Sequence, residues 1–274
     1  MTAVLITGTS SGIGRATVAR LARRPDLTVY ATARKVDAIA DLADTGARLL
    51  PLDVTDEASM RAAVAAVEAA HGQVDVLVNN AGYGEYGPIE ETPIERVRAQ
   101  FETNVFGLAR LTQLVLPGMR RAGRGRIVNV SSMGGRLVFP GGGYYHASKY
   151  AVEAVSDALR QETRPFGIDV AVIEPGLIRT GFGAVAASTL GATADPTGPY
   201  HTMVAAVDAS MAKSYRNPML AAPPDAVARV IERAVVARRP RSRYLVTAAA
   251  WAMVHTRRLF GARLFDAVNR LQFR

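Results

Sequence analysis

Tyr145-His146-Ala147-Ser148-Lys149 sets a phenol and an ammonium at i and i+4, the spacing that puts two side chains on one face of a helix. A free phenol titrates near 10, so trading protons near neutrality requires lowering it by about three units, or about 4 kcal/mol. A cation about 4 Å away at an effective dielectric near 20 supplies roughly that much. The chain has nine tyrosines but only three lysines, Lys35, Lys149 and Lys213, so one Tyr-x-x-x-Lys would arise by chance roughly one time in ten. Tyr144 lacks the partner because position 148 is serine. Proton exchange with a carbonyl oxygen also needs a neutral donor that orients the oxygen and steadies its developing charge. Ser131 and Ser132, closing a strand-like run, offer hydroxyls for this. Asn104 sits inside a long helical stretch, where asparagine costs propensity relative to alanine. Either a polar role at a site or a buried amide tying helix to loop would explain it.

A second set of residues suits a dinucleotide. Thr7-Gly8-Thr9-Ser10-Ser11-Gly12-Ile13-Gly14 is a glycine-rich turn between a strand-like run and a helical one. Glycines there permit tight turns and close approach to a pyrophosphate, which helix-terminal N–H groups bind. The spacing is G-x-x-x-G-x-G rather than G-x-G-x-x-G, so its weight comes from the strand–turn–helix context. After the next strand stands Arg34, with no acid before Asp37. An acid would take a ribose 2′-hydroxyl and an arginine a 2′-phosphate, so NADP(H) is expected over NAD(H), which stays possible. Asp53, with Val54 beside it, could accept from an adenine amino group, or could merely cap with Thr55. Asn79-Asn80-Ala81-Gly82 would run along the adenosine half.

The elements that must position these groups are legible as alternation. Short β-branched runs at 3–7, 28–32, 48–53, 74–79, 126–131 and 169–174 are separated by helical stretches at 12–23, 57–71, 93–119, 144–164 and 224–237. Near-continuous apolar strands joined by helices predict an α/β fold, a doubly wound parallel sheet covered on both faces. No linker or repeat divides residues 1–274, so one domain is expected. Residues 180–224, rich in Ala, Gly, Met and Tyr, read as an insertion over the site.

With 49% hydrophobic and 21% charged residues the composition is that of an ordinary globular protein. Without cysteine there are no disulfides and no thiolate chemistry, and no metal ligand set is expected. No apolar run reaches the roughly 18 residues needed to span a bilayer, and no basic segment precedes Ala3, so no signal peptide is read and a cytoplasmic location is expected. The net charge is +9, of which residues 238–274 carry +8, nine arginines against Asp266. With no nucleic-acid motif, this block suggests a local contact with an anionic membrane surface, an acidic carrier or a phosphorylated ligand. Phe260, Leu264, Val268 and Leu271 recur at helical spacing beside Arg263, Arg270 and Arg274. The favoured reading is a final helix that packs this stripe on the core and solvates its arginines. Peripheral membrane contact is the alternative.

Taken together, Thr7-Gly8-x-x-x-Gly12-x-Gly14, Asn79-Asn80-Ala81-Gly82, Asn104, Asn129-Val130-Ser131-Ser132, Tyr145-x-x-x-Lys149 and Pro175-Gly176 resemble the short-chain dehydrogenase/reductase family over residues 3 to 180. The resemblance implies a Rossmann-type oxidoreductase in which Tyr145 is the general acid/base and Lys149 lowers its pKa and holds the nicotinamide ribose. It further implies that Asn104 anchors a water in the proton relay. The family's serine, thirteen residues before the tyrosine, is here Ser132 and not Ser131. The turn Gly8 to Gly14, with Thr9, Ser10, Ser11 and Ile13, would hold the dinucleotide together with Arg34, Asp53, Val54, Asn80, Ala81, Gly82 and Pro175-Gly176. Ile178 and Thr180 would contact the carboxamide. The stretches 29–34 and 175–182 look most like the branch acting on steroids, retinoids and other lipophilic alcohols. The expected pocket walls are Tyr83, Leu137, Val138, Phe139, Tyr144 and Phe182, with Met203, Met211 and Tyr215. The leading expectation is an NADP(H)-dependent interconversion of a lipophilic ketone and secondary alcohol by a homodimer or homotetramer. A 3-oxoacyl thioester reductase with a carrier-binding tail and a non-catalytic NADP(H)-sensing protein are the alternatives.

Overall fold

A computed structural model describes residues 1–193, 195 and 197–272. Seven strands form one parallel sheet: β1 (Thr2–Ile6), β2 (Leu27–Ala33), β3 (Arg48–Pro51), β4 (Val76–Asn79), β5 (Gly125–Val130), β6 (Ile168–Glu174) and β9 (Arg243–Leu245), in the order β3-β2-β1-β4-β5-β6-β9. The chain winds outward from β1 to β3, then returns to pair β4 on the other side of β1. Strand order therefore reverses between β1 and β4, the place where open α/β sheets leave a crevice at their carboxyl ends. Six of the seven strands match the alternation in the sequence. The seventh was not foreseen, and neither was a two-stranded parallel pair, β7 (Leu177–Ile178) with β8 (Ala221–Ala222).

Helices cover both faces because alternate strand residues point to opposite sides. Val4, Ile6, Val29 and Ile173 meet α1 (Gly12–Leu21) and α8 (Pro224–Val236) through Val18, Leu21, Val227 and Ile231. Leu5, Leu77, Ile127 and Val170 meet α2 (Glu57–His71), α4 (Leu108–Ala122) and α5 (Gly143–Thr163) through Val67, Leu111, Val115 and Leu159. The long helix expected over 93–119 is divided. α3 (Ile94–Phe101) passes into a wider π-helical stretch, Glu102–Gly107, before α4 resumes. A Cβ at Gly107 would strike the Val54 carbonyl, so this stretch lies against the chain after β3.

Residues 180–224 form α6 (Phe182–Thr193) and α7 (His201–Arg216), which share a small core of Leu190, Val204 and Val207. The final helix, α9 (Ala248–Gln272), is broken at Gly261, whose φ of 75° and ψ of 177° are not helical. Among the described residues, no helix is long and apolar enough to cross a membrane.

One expectation about the basic segment needs correction. Arg243 bridges Glu153 and Glu174 at 3.1 Å each and Asp157 at 2.6 Å, anchoring β9 to α5 and β6. Arg257 donates to the Arg136 carbonyl and the Tyr150 hydroxyl. The apolar stripe of the final helix does not pack as expected, because the break at Gly261 rotates it: Phe260 and Leu264 are exposed, while Phe265 turns inward onto Phe139. The side chains of Val268 and Leu271, and Arg274 altogether, lie outside the described residues.

Candidate active site

A cleft of about 1220 Å³ opens at the carboxyl ends of β1 and β4. That exceeds the roughly 300–1,000 Å³ of a pocket for one small ligand, leaving room for a dinucleotide and a second molecule. Its glycine end is built by local necessity. Gly8 and Gly12 have φ of +69° and +56°, and Gly14 lies so close to Asn80 that a Cβ there would stand 2.5 Å from its Nδ2. Asn80 Nδ2 donates to the Thr7 and Gly8 carbonyls at 2.9 and 3.0 Å, and Thr7 Oγ1 accepts from the Asn80 and Ala81 amides at 3.0 Å. The two motifs are thus one hydrogen-bonded unit. Ser11, at the N-terminus of α1, makes no side-chain cap, and the first turn carries no acid. With Ser10, Ser11, Gly12 and Ile13 all facing the cleft, this is the donor-rich, backbone-close cradle that a pyrophosphate fits.

Gly8, Arg34, Asp53, Val54, Asn80, Ala81, Gly82, Pro175, Gly176, Ile178 and Thr180 line the same cleft. Arg34 is exposed and makes no ion pair with the described residues. Asp53 Oδ1 accepts from the Thr55 amide and hydroxyl, so its capping role is real, and Oδ2 is left for a ligand. Thr9 and Gly14 do not reach the cleft. Thr9 is fully buried and donates to the Thr32 carbonyl at 3.0 Å, pinning the turn to β2, while Gly14 is a packing glycine.

The chemical end lies on α5 and the end of β5. Tyr145, Lys149 and Ser132 all line the cleft. Tyr145 is packed between Tyr86, stacked at 5.7 Å, and Phe182 at 5.2 Å. Burial pushes its phenol up to about 12, against a smaller pull downward from the Ser132 hydroxyl. Burial likewise pulls the Lys149 ammonium down to about 8, opposed by Glu153, and Nζ donates to the Val130 carbonyl at 3.0 Å. Burial in this aromatic site thus disfavours the charged form of each group.

Asn104 does not line the cleft. Its Oδ1 accepts from the Tyr83 amide at 3.1 Å, and its Nδ2 donates to the Tyr83 carbonyl and Ser148 Oγ at 2.9 and 3.0 Å. All of its polar atoms are engaged in tying the loop after β4 to α5, which is the buried-amide reading. Of the expected walls, Tyr83, Phe139, Phe182, Met211 and Tyr215 line the cleft. Leu137 is core, Val138 is exposed, Tyr144 reaches the Ile89 carbonyl and Met203 packs in the small core of α6 and α7.

Two wall residues went unremarked. Tyr86 continues the aromatic spacing begun at Tyr83, and His146 directly follows the tyrosine of the Tyr-x-x-x-Lys pair. The buried His146 ring holds Nδ1 3.1 Å from the Gly134 carbonyl, and burial drops its pKa to about 4. The helical spacing noted from Phe260 onward does not reach the start of α9, yet Ala249, Ala250 and Met253 complete the wall.

Comparison with known proteins agrees with this geometry. The family profile described as short chain dehydrogenase matches residues 2–190. The chain is 37% identical over 270 residues, 97% of its length and 93% of the other's, to the uncharacterized oxidoreductase YbbO of Escherichia coli. It is 44% identical over 179 residues to a 3-ketodihydrosphingosine reductase of Bacteroides thetaiotaomicron, a match covering 65% of each chain and thus just under two thirds of that relative. Among solved structures, a short-chain dehydrogenase from Streptomyces avermitilis superposes with a TM-score of 0.81 at 36% identity, over 98% of this chain and 99% of that one. Two further neighbours were solved with dinucleotide: a Burkholderia phymatum short chain dehydrogenase/reductase with NAD (TM-score 0.79, 28% identity, 94% and 92% covered) and a serine dehydrogenase with NADP+ (0.76, 28%, 89% and 94%).

Proposed function

The chain belongs to the short-chain dehydrogenase/reductase family and is an oxidoreductase that uses a nicotinamide cofactor; from that premise we propose that it interconverts a lipophilic ketone and its secondary alcohol with NADP(H). The observation that carries the reading is the union, in one cleft, of the glycine cradle, the Tyr145–Ser132–Lys149 group and a pocket walled by Tyr86, Phe139, Phe182, Val185, Met211 and Met253. Among the described residues that wall the pocket half, the ionisable side chains other than phenols are Lys149 and His146, and burial holds His146 neutral. Such a surface favours an apolar, uncharged substrate oriented by a few hydroxyls. The Bacteroides relative is named for reduction of a keto compound, 3-ketodihydrosphingosine, which accords with this class. Arg34, exposed at the far end of the cleft without an ion pair among the described residues, supports the 2′-phosphate.

When bound, the dinucleotide supplies the hydride in reduction and receives it in oxidation. Ser132 Oγ orients the substrate oxygen. Tyr145, a neutral phenol because burial holds it near 12, donates its proton to that oxygen as the carbonyl carbon gains the hydride. In the reverse direction the phenolate takes the alcohol proton. Lys149, still largely charged at neutral pH, steadies the phenolate. Asn104 is a positioning residue that fixes Tyr83 against α5. Phe106, Tyr150 and Val155, large apolar side chains exposed on the stretch Glu102–Gly107 and on α5, support a homodimer or homotetramer.

Tyr145→Phe tests the assignment. Turnover of a ketone series should fall by roughly 100- to 10,000-fold while NADP(H) titrates as before. Unchanged turnover would reject it, and a kcat/KM that does not rise with apolar chain length would reject the lipophilic substrate.

A further inference from the structure

The inner face of α9 closes the substrate cleft: Ala250 and Val254 are buried, Ala249 and Met253 line the cleft, and Arg257 is held by the Arg136 carbonyl. The outer face has no such employment. Trp251, His255, Arg258 and Leu259 recur at i, i+4, i+7 and i+8, one side of a helix. Trp251 is 57% exposed, Leu259 77%, Phe260 63% and, just past the break, Leu264 48%. Gly261 makes the corner, and a Cβ there would meet nothing within 4 Å, so this tip projects into open space. Arg258 and Arg263 flank it, exposed and without an ion pair among the described residues.

We propose that this tip docks the enzyme on the surface of an anionic lipid bilayer, with Leu259, Phe260 and Leu264 entering the acyl boundary and Arg258 and Arg263 on the headgroups. Large apolar side chains flanked by arginines are the composition of an interfacial segment. A second copy of the chain is a poorer occupant, because a two-fold contact on this patch would bring like charges together. An acidic soluble carrier would pair with the arginines but leave Leu259 and Phe260 wet. The inference builds on the lipophilic-substrate reading, since the docked helix is also a wall of the cleft. Its test does not depend on turnover.

Trp251 is the chain's sole tryptophan and reports from this face. Adding phosphatidylcholine vesicles that contain phosphatidylserine to the full chain should shift its emission to the blue and carry the protein into the vesicle pellet. Phosphatidylcholine alone should bind at least tenfold more weakly, and high salt should weaken binding. Arg258→Gln with Arg263→Gln should weaken it by about fivefold per charge. Leu259→Ser with Phe260→Ser should reduce it at least tenfold, with circular dichroism and kcat/KM on a short, water-soluble ketone unchanged. No shift and no pelleting would overturn the proposal, whether or not the enzyme turns over. A two-chain particle that becomes a single chain in the Leu259→Ser, Phe260→Ser variant would also overturn it, by assigning the patch to a second copy.

Discussion

Gly14 and Gly191 are both helical glycines, and the same substitution to alanine should have opposite effects at the two. At Gly191 in α6 an added Cβ meets nothing within 4 Å, so alanine should stabilise by up to about 1 kcal/mol through helix propensity. At Gly14 in α1 the Cβ would stand 2.5 Å from Asn80 Nδ2 and closer still to the Gly8 carbonyl oxygen. Ordinary contact begins near 3.4 Å, so the amide must retreat by about 0.9 Å. That movement breaks its bonds to the Thr7 and Gly8 carbonyls, about 1 kcal/mol each, and adds about 1–3 kcal/mol of overpacking. After the propensity gain is subtracted, Gly14→Ala should destabilise by about 3 kcal/mol, read from urea midpoints. Because Asn80 joins the glycine turn to the loop after β4, NADP(H) affinity measured by fluorescence titration should fall with it, by at least tenfold, while Gly191→Ala leaves it unchanged. A Gly14→Ala protein as stable as its parent would refute the claim that packing, rather than the ligand, demands this glycine.

Three further outcomes follow from the charges. His146 is held near 4, below the ordinary 6.5, so the unfolded chain takes up a proton that the fold refuses; stability is complete above about 6.5 and is lost as pH falls toward 4. Urea melts should lose about 2 kcal/mol from this group between pH 7 and pH 5, and His146→Gln should flatten that slope; equal slopes would discard the assignment. Arg243→Met would leave the buried Glu153 without a cation beside Glu174, which keeps Arg136 at 3.1 Å, at a cost of about 3 kcal/mol. Glu153 is already held well above the usual carboxylate range by burial and by Glu174, so its ionisation grows more costly as pH rises through the folded value, and the deficit should be larger at pH 8 than at pH 6. A deficit independent of pH would place the loss elsewhere. Arg34→Asp should weaken NADP(H) by about 10- to 100-fold with little change for NAD(H), and equal weakening of both in paired titrations would exclude a 2′-phosphate contact.

What the sequence made legible was local. The turn from Gly8 to Gly14 and the pair Tyr145 and Lys149 could be placed because their chemistry depends on spacing within one strand–helix junction or one helical turn. The sheet was legible for six strands because each carries its own β-branched run. β9 was not, because its three residues join the sheet through a contact made far along the chain. Arg243 is drawn in by acids on α5 and β6, about 70 to 90 residues earlier, and becomes the anchor of an edge strand. Asn104 shows the same limit: its type announced a polar task, but which of two tasks depended on Tyr83 and Ser148 lying within reach of its amide.

The arithmetic that succeeded on α5 failed on α9 for a definable reason. Reading Phe260, Leu264, Val268 and Leu271 as one stripe assumes that the helix keeps its phase through position 261, and helical spacing carries no record of a break. Glycine is the residue best able to leave the helix with a positive φ, and Gly261 does so. Phase is reset there: Val254 and Phe265 face the protein on either side of the corner, and Leu259, Phe260 and Leu264 are left outside. Neither the core nor a continuous helix requires this stripe. The anionic bilayer proposed above would give Leu259, Phe260 and Leu264 a use, and the flanking arginines match its charge.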